Sequence, residues 1–388
     1  MVTSRAATDA GRVRQRNLAA VLQLVHHSRG VTRADLTRAL GLNRSTIGDL
    51  VAALAEAHWV DEVDDAPREG VGRPSPRVVP RSDRLVAAIN PELDAVDVAL
   101  VALGGRVVAR QRVVIDSPTV DQGVSIAARV VGELASEHPS SRVVAAAAAI
   151  PGLVRTDDGV VRFAPHLGWR EEAFAEPLAR ALGVPAFAAN DAQLGCRAEL
   201  AFGAGLGART MVYLNGGASG IGGGIVMSGQ LVEGRDGHAG EFGHLSVDPL
   251  GPVCACGAHG CLEAVVSRAH LMATLGLEHP DDAELEAALS AADSSATDPI
   301  VATQFAALRV ALRTIATMVN PELIVLGGYL ATLWAAASTD DRRTVLAEAL
   351  PAIAAGVRVE PAALGSSRLL IGAGELAWAH VVGDPLAG

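Results

Sequence analysis

The sequence contains no lysine: all 32 of its basic residues are arginine, a bias that reads as genome composition more than chemistry. Aromatic residues are scarce, whereas Ala, Val, Gly and Arg are abundant. Long apolar runs are missing as well. The Ala-rich stretch at 145–150 is far too short to cross a bilayer, and the N-terminus has no apolar signal-peptide core. A cytoplasmic chain is therefore expected. Cysteine is rare and unevenly placed, with Cys254, Cys256 and Cys261 clustered and Cys196 alone. In a cytosolic chain, clustered cysteines point to a metal before a disulfide.

What is present implies a folded protein of more than one domain. Half of the residues are hydrophobic, and 388 residues exceed what one compact core usually holds. A net charge of −11 taken alone argues against nucleic acid. Its distribution reverses that for one end. Residues 1–50 carry eight arginines (5, 12, 14, 16, 29, 33, 38 and 44) against Asp9, Asp35 and Asp49, which leaves about −16 for the remainder.

Within the basic segment the pattern is helical. Leu18, Val21, Leu22 and Val25 form one apolar stripe, and the break at residues 28–30 ends that helix. Thr32 stands as an N-cap before a short second helix ending at Gly41. Asn43 or Ser45 can cap a third, with Ile47, Leu50, Val51 and Leu54 on its apolar face. Two short helices joined through a glycine match a helix-turn-helix. The third helix opens with Asn43, Arg44, Ser45 and Thr46, donors suited to base edges and phosphates; Arg33 on the second helix joins them. Strands at 59–63 and 77–79 then frame a two-stranded wing whose loop carries Arg73. A helical packing domain with a solvated basic face fits the same pattern, but the concentration of charge and the wing favour DNA. The boundary is drawn between 82 and 83.

From Leu85 onward, strands at 85–89, 96–101, 106–114 and 143–150 interleave with helices at 124–137 and 172–182, the signature of α/β layers with a largely parallel sheet. The glycine-rich run 214–224 reads equally as an anion-binding loop and as a tight hairpin. The most specific string is His238-Ala-Gly-Glu-Phe-Gly-His244, followed by Cys254-Ala-Cys256-Gly-Ala-His-Gly-Cys261-Leu-Glu263. Three cysteines and one histidine supply the four ligands of a closed tetrahedral Zn²⁺ site. His244, Cys254, Cys256 and Cys261 are the expected set, with His238 and His259 as rival fourth ligands, and the metal would be structural.

These residues resemble the signature of the ROK family (repressors, open reading frames and sugar kinases), and the resemblance runs from about Arg12 to the C-terminus. Ile150-Pro-Gly-Leu-Val154, Ala164-Pro-His-Leu-Gly-Trp169, Asn190-Asp191-Ala and Asn320-Pro-Glu-Leu-Ile-Val-Leu-Gly-Gly328 fall in the family's order. The fold implied is the actin-like sugar-kinase fold, two α/β lobes over a cleft, at 83–388. The preceding winged helix-turn-helix is what the repressor branch carries. The resemblance assigns Asn190, Asp191, Glu241, His244 and Glu263 to a sugar, with Asp191 the general base in the kinases. Carboxylates and amides suit polyols.

Departures from the family decide between enzyme and regulator. Where ROK kinases begin with Asp-x-Gly-Gly-Thr, this chain has Asn90-Pro-Glu-Leu-Asp94, so a carboxylate, Glu92, stands where an anion must sit. Asp191 would then be a vestigial base. His166 and Gln193 also depart from the family pattern and bear on the identity of the sugar. The expectation is a non-catalytic repressor of carbohydrate-related genes, acting as a homodimer or dimer of dimers on an inverted-repeat operator and answering to a sugar effector. An active sugar kinase with an accessory DNA-binding segment is the alternative. A regulator governed by a protein partner is a third reading.

Overall fold

The computed structural model describes residues 2–64, 76–155, 157–235, 237–292 and 294–386, with side chains described from residue 11 onward except 294–296. The first helix spans Val2–His27, and its stripe of Leu18, Val21, Leu22 and Val25 is buried. Thr32 caps the helix Arg33–Leu40 by accepting the Asp35 N–H, and Gly41 closes it in the left-handed region. Asn43 caps the helix Arg44–Glu56 in the same way through the Thr46 N–H. The pair of helices and its short turn follow from these caps. The expected two-stranded wing has a third member: Arg77–Pro80 pairs with Val60–Val63 on one side and with Val31–Thr32 on the other. The wing tip with Arg73 lies outside the described residues.

The rest of the chain forms two lobes whose central sheets repeat one plan. In the first lobe the strands lie in the order Ala186–Asn190, Arg142–Ile150, Arg84–Pro91, Ala95–Ala102 and Arg106–Val114. In the second the order is Gln230–Leu231, Gly220–Met227, Met211–Gly217, Leu323–Gly328 and Arg358–Pro361. Each sheet joins two antiparallel pairings to two parallel ones. The expectation of a largely parallel sheet is corrected accordingly. Hairpins need only tight turns, and the Ala-Leu-Gly-Gly turn at 102–105 supplies one. A second correction concerns the helix read at 172–182. Its first residues belong to the strand Trp169–Ala173, paired with Val160–Ala164, and the helix is Ala175–Leu182.

Alternation along the strands builds two cores. Leu85, Ala87 and Ile89 face the helices Val120–Ser136 and Ala175–Leu182, whereas Val86 and Ala88 face the helix Arg368–Val382. The second lobe closes around the helix Ser294–Val319, which by length and composition alone is long and apolar enough to cross a membrane, contrary to the sequence expectation. Its Leu308, Leu312 and Ile315 are buried in the lobe, while Arg309 and Arg313 pair with Asp341 and Glu348 on its other side. That is the pattern of a core helix.

The N-terminal helices share a core with the first lobe. Trp59 meets Trp378 edge to face, its indole N–H donates to the Pro385 carbonyl at 2.6 Å, and the Arg84 guanidinium stacks on its ring. Beside them His26 Nε2 lies 2.5 Å and His27 Nε2 3.1 Å from the buried Glu375 carboxylate. His26 Nδ1 accepts the Gly104 N–H, so Nε2 carries the ring proton and donates it to Glu375. A metal ion at Nε2 would have to displace that proton, so this cluster is a clasp and not a metal site. Burial acts to raise the Glu375 carboxyl, but the two adjacent histidines override it and hold it down to about 2. Glu375→Ala should therefore cost about 1–3 kcal/mol in urea unfolding at pH 7, because it strands the buried His26 N–H. The clasp loses its contribution as the pH falls from the ordinary carboxyl value toward 2, so the gap between variant and parent should narrow in acid.

Candidate functional site

Two parallel strands of the first lobe end side by side, with Asn190 opposite Ile150 in register. Ligands collect at such carboxyl ends. The strand Ala186–Asn190 runs straight into the helix Asp191–Phe202, capped by Asn190, whose Oδ1 accepts the Gln193 N–H at 2.9 Å. The Asn190 amide also donates to the Gly152 carbonyl, which leaves one N–H for a ligand. Asp191 follows, nearly buried, with Oδ1 accepting the Ala192 N–H.

These residues open onto a cavity of about 300 Å³ between the lobes, lined also by Glu241, His244, Glu263, His166 and His238. All five residues expected to hold a sugar thus meet in one place. Phe163, Leu153 and Ile221 add apolar walls. Gln193, expected to bear on the ligand, does not line this cavity. Its amide donates to the Gly237 carbonyl at 2.6 Å and pins the loop that carries His238 and Glu241.

Four ligand atoms converge at the cavity rim. His244, Cys254, Cys256 and Cys261 bring one nitrogen and three sulfurs within 4.8 Å of one another. His244 Nδ1 is 3.6 Å from Cys254 Sγ, and Cys256 Sγ is 3.7 Å from Cys261 Sγ. Of the rival ligands, His259 turns to the Gly251 carbonyl and His238 faces the cavity. Gly260, with φ +66°, is required here, because a side chain would run into the Asp248 carbonyl. Glu263 Oε1 accepts from Cys254 Sγ at 3.1 Å and joins the cluster to the cavity.

On the other side of the glycine hairpin the cleft is filled by the chain itself. Asn90 donates to the Ala149 carbonyl. Glu92 Oε2 accepts the Ser219 hydroxyl at 2.8 Å. Asp94 pairs with Arg112 and, at 3.6 Å, with Arg268. Arg368, buried, reaches Asn215 at 2.9 Å and Asp282 at 2.5 Å and lies over the second glycine pair, Gly327 and Gly328. Only about 70 Å³ of open space is left among these side chains. The exchange of glycine for Glu92 is visible in the sequence, but nothing in it marks Arg368 or Ser219.

The expected DNA-facing residues divide. Arg44 and Ser45 are exposed at the N-terminal end of their helix, and Arg44 has no acidic partner among the described residues. The Asn43 carbonyl oxygen is spent on capping and on the Ser45 hydroxyl, and Thr46 supplies the capped N–H. Arg33, expected to be free, is held by both carboxylate oxygens of Glu62 on the wing strand. It braces helix to wing instead of presenting an open cation.

The sequence from 87 to 380 matches the model of the ROK family, and the chain belongs to that family. It is 30% identical to a glucokinase of Halalkalibacterium halodurans over 317 residues, 76% of this chain and 95% of that one. It is 28% identical to the xylose repressor of Bacillus subtilis over 265 residues, 68% of each chain. Among solved structures, a ROK family transcriptional regulator described as a homologue of the E. coli Mlc protein superposes with a TM-score of 0.75 at 25% identity. That superposition covers 96% of this chain and 98% of the other.

Burial raises Asp191 to about 8, with the Glu92 charge adding to the effect, and burial raises Glu92 to about 7. Both carboxyls hold their protons more tightly folded than unfolded, where they would titrate near 3.8 and 4.5. Their contribution to stability is thus fully present in acid and is lost as the pH rises through about 7 and 8. Urea unfolding between pH 5.5 and 8.5 should show stability falling toward alkaline pH, and Asp191→Asn should flatten that decline.

Proposed function

We propose that this protein is a DNA-binding transcriptional regulator, a repressor of carbohydrate-related genes, that senses a sugar without phosphorylating it. One observation carries the reading: the two halves of its cleft differ. The half lined by Asn190, Asp191, Glu241, His244 and Glu263 offers about 300 Å³ rich in hydroxyl partners, while the half a nucleotide would need keeps about 70 Å³. Asp191 is then a ligand contact without a phosphoryl donor to serve. The match over nearly the whole chain to a transcriptional regulator, N-terminal helices included, supports the same reading. The glucokinase relative keeps the kinase alternative in view, and turnover decides it.

The sugar would close the lobes and shift the balance between DNA-competent and incompetent forms of a cytoplasmic homodimer, by no more than its differential affinity for the two. Thermal-shift measurements with D-glucose, D-xylose and N-acetyl-D-glucosamine should identify a stabilising ligand, and Asp191→Asn should abolish or weaken the shift. ATP-dependent phosphorylation of such a sugar at about 1–100 s⁻¹ would overturn the regulator reading.

The Cys₃His cluster fits Zn²⁺. Bonds of about 2.3 Å to sulfur and about 2.0 Å to nitrogen give tetrahedral edges of roughly 3.5–3.8 Å. The 3.6 and 3.7 Å separations match those edges. Four protein ligands leave no open position, so the ion would be structural. His244 would bind through Nδ1, leaving Nε2 for a sugar hydroxyl. Elemental analysis should find one zinc per chain, and Cys256→Ser should lose it and melt at lower temperature; zinc-free protein prepared without chelator would defeat the assignment.

DNA would be read by the helix Arg44–Glu56 from each protomer, on half-sites related by two-fold symmetry. Arg44→Ala should weaken operator binding by about 1–3 kcal/mol. Arg73→Ala should weaken it with less loss of discrimination. Footprinting that finds one asymmetric site occupied by a monomer would contradict this.

A further inference from the structure

The geometry points to Glu92 as a built-in latch: its carboxyl group occupies the glycine-lined seat between the lobes and holds the 217–220 turn where the sugar cavity needs it. This rests on the reading of the body as a sugar-binding module.

Glycine-rich turns receive anions because their backbone permits close approach. Here a carboxyl group already fills that seat. Glu92 follows the first-lobe strand Arg84–Pro91, whereas Gly217 and Ser219 sit at the hairpin of the second-lobe sheet. One carboxylate oxygen takes the Ser219 hydroxyl at 2.8 Å, and the other would be only 3.1 Å from a Cβ placed on Gly217. The contact therefore spans the cleft, as a bound phosphate would. Further ties run the same way: Asp94 of the first lobe to Arg268 of the second, and Arg112 to the His279 carbonyl.

The turn has a second face. Gly220, with φ +114°, lies where a Cβ would be 2.6 Å from Glu263 Oε2 and 3.6 Å from His166 Nε2, both on the sugar side. A single turn is thus held by Glu92 from behind and forms the wall of the sugar cavity in front. Glu92 is a positioning residue: it lines no part of that cavity yet fixes one of its walls. Lobe register, which a nucleotide supplies in a kinase, is here supplied by a side chain.

Hydrogen-exchange mass spectrometry on the full chain, without sugar or DNA, tests the latch. In Glu92→Ala the amides of 216–222 should exchange at least about tenfold faster, while those of the buried strand Leu323–Gly328 keep their protection. Ser219→Ala should loosen the same turn. Glu92→Gln, which keeps the shape and an acceptor for Ser219, should preserve most of the protection. Inorganic pyrophosphate should re-protect the turn in Glu92→Ala, where the seat is empty, and leave the parent unchanged. Unaltered exchange in both Glu92→Ala and Ser219→Ala, or equal pyrophosphate protection in parent and variant, would overturn the proposal. Absence of any sugar ligand, with these results intact, would sink the sensor reading alone.

Discussion

Arg368 and Glu375 stand about two turns apart on one buried helix. Unpaired, either charge would be intolerable inside a protein. Each is paired, and each pairing joins a different part of the molecule to the same rod. Arg368 reaches Asn215 of the second-lobe sheet and Asp282 beyond it; Glu375 receives His26 and His27 from the N-terminal helix. Between and beyond them Leu369, Leu370, Ala373, Ala377 and Trp378 pack against the first-lobe sheet. The cost of burying two charges is offset only while all three parts stay in register. A ligand that moves the lobes would thus act on the same helix that seats the N-terminal helices.

The cleft illustrates how one architecture supports different chemistry through a few side chains. Both sheets follow the same strand plan, and the second-lobe sheet ends in two glycine turns facing the cleft. Here a carboxyl rests on one and a guanidinium on the other, so the backbone of both turns meets the chain's own side chains. The half of the cleft built on Asn190 and Asp191 at strand ends stays open.

Much of this was legible in the sequence because it rests on local rules. Caps at Thr32 and Asn43, the glycine at 41, the stripe from Leu18 to Val25 and the cysteine spacing each specify their own neighbourhood. The five residues expected to hold a sugar were placed by the family pattern, and the structure brings them to one cavity. What escaped depends on partners far along the chain. No spacing rule links Arg33 to Glu62, Gln193 to Gly237, or His26 to Glu375, and each of these side chains proved to be committed internally. The sheets were misjudged as largely parallel because strand content shows in periodicity, whereas strand direction depends on the length and path of each connection.

The bond from Trp59 to the Pro385 carbonyl closes a loop of 326 residues. Pro385 is made 326 residues after Trp59, and Glu375 349 residues after His26, so during synthesis the N-terminal helices wait for these partners. Trp59 lacks Trp378 and the Pro385 carbonyl until translation has passed them. The N-terminal helices therefore gain their seat only in a chain made through the helix Arg368–Val382, and a message cut short of it would leave them without one.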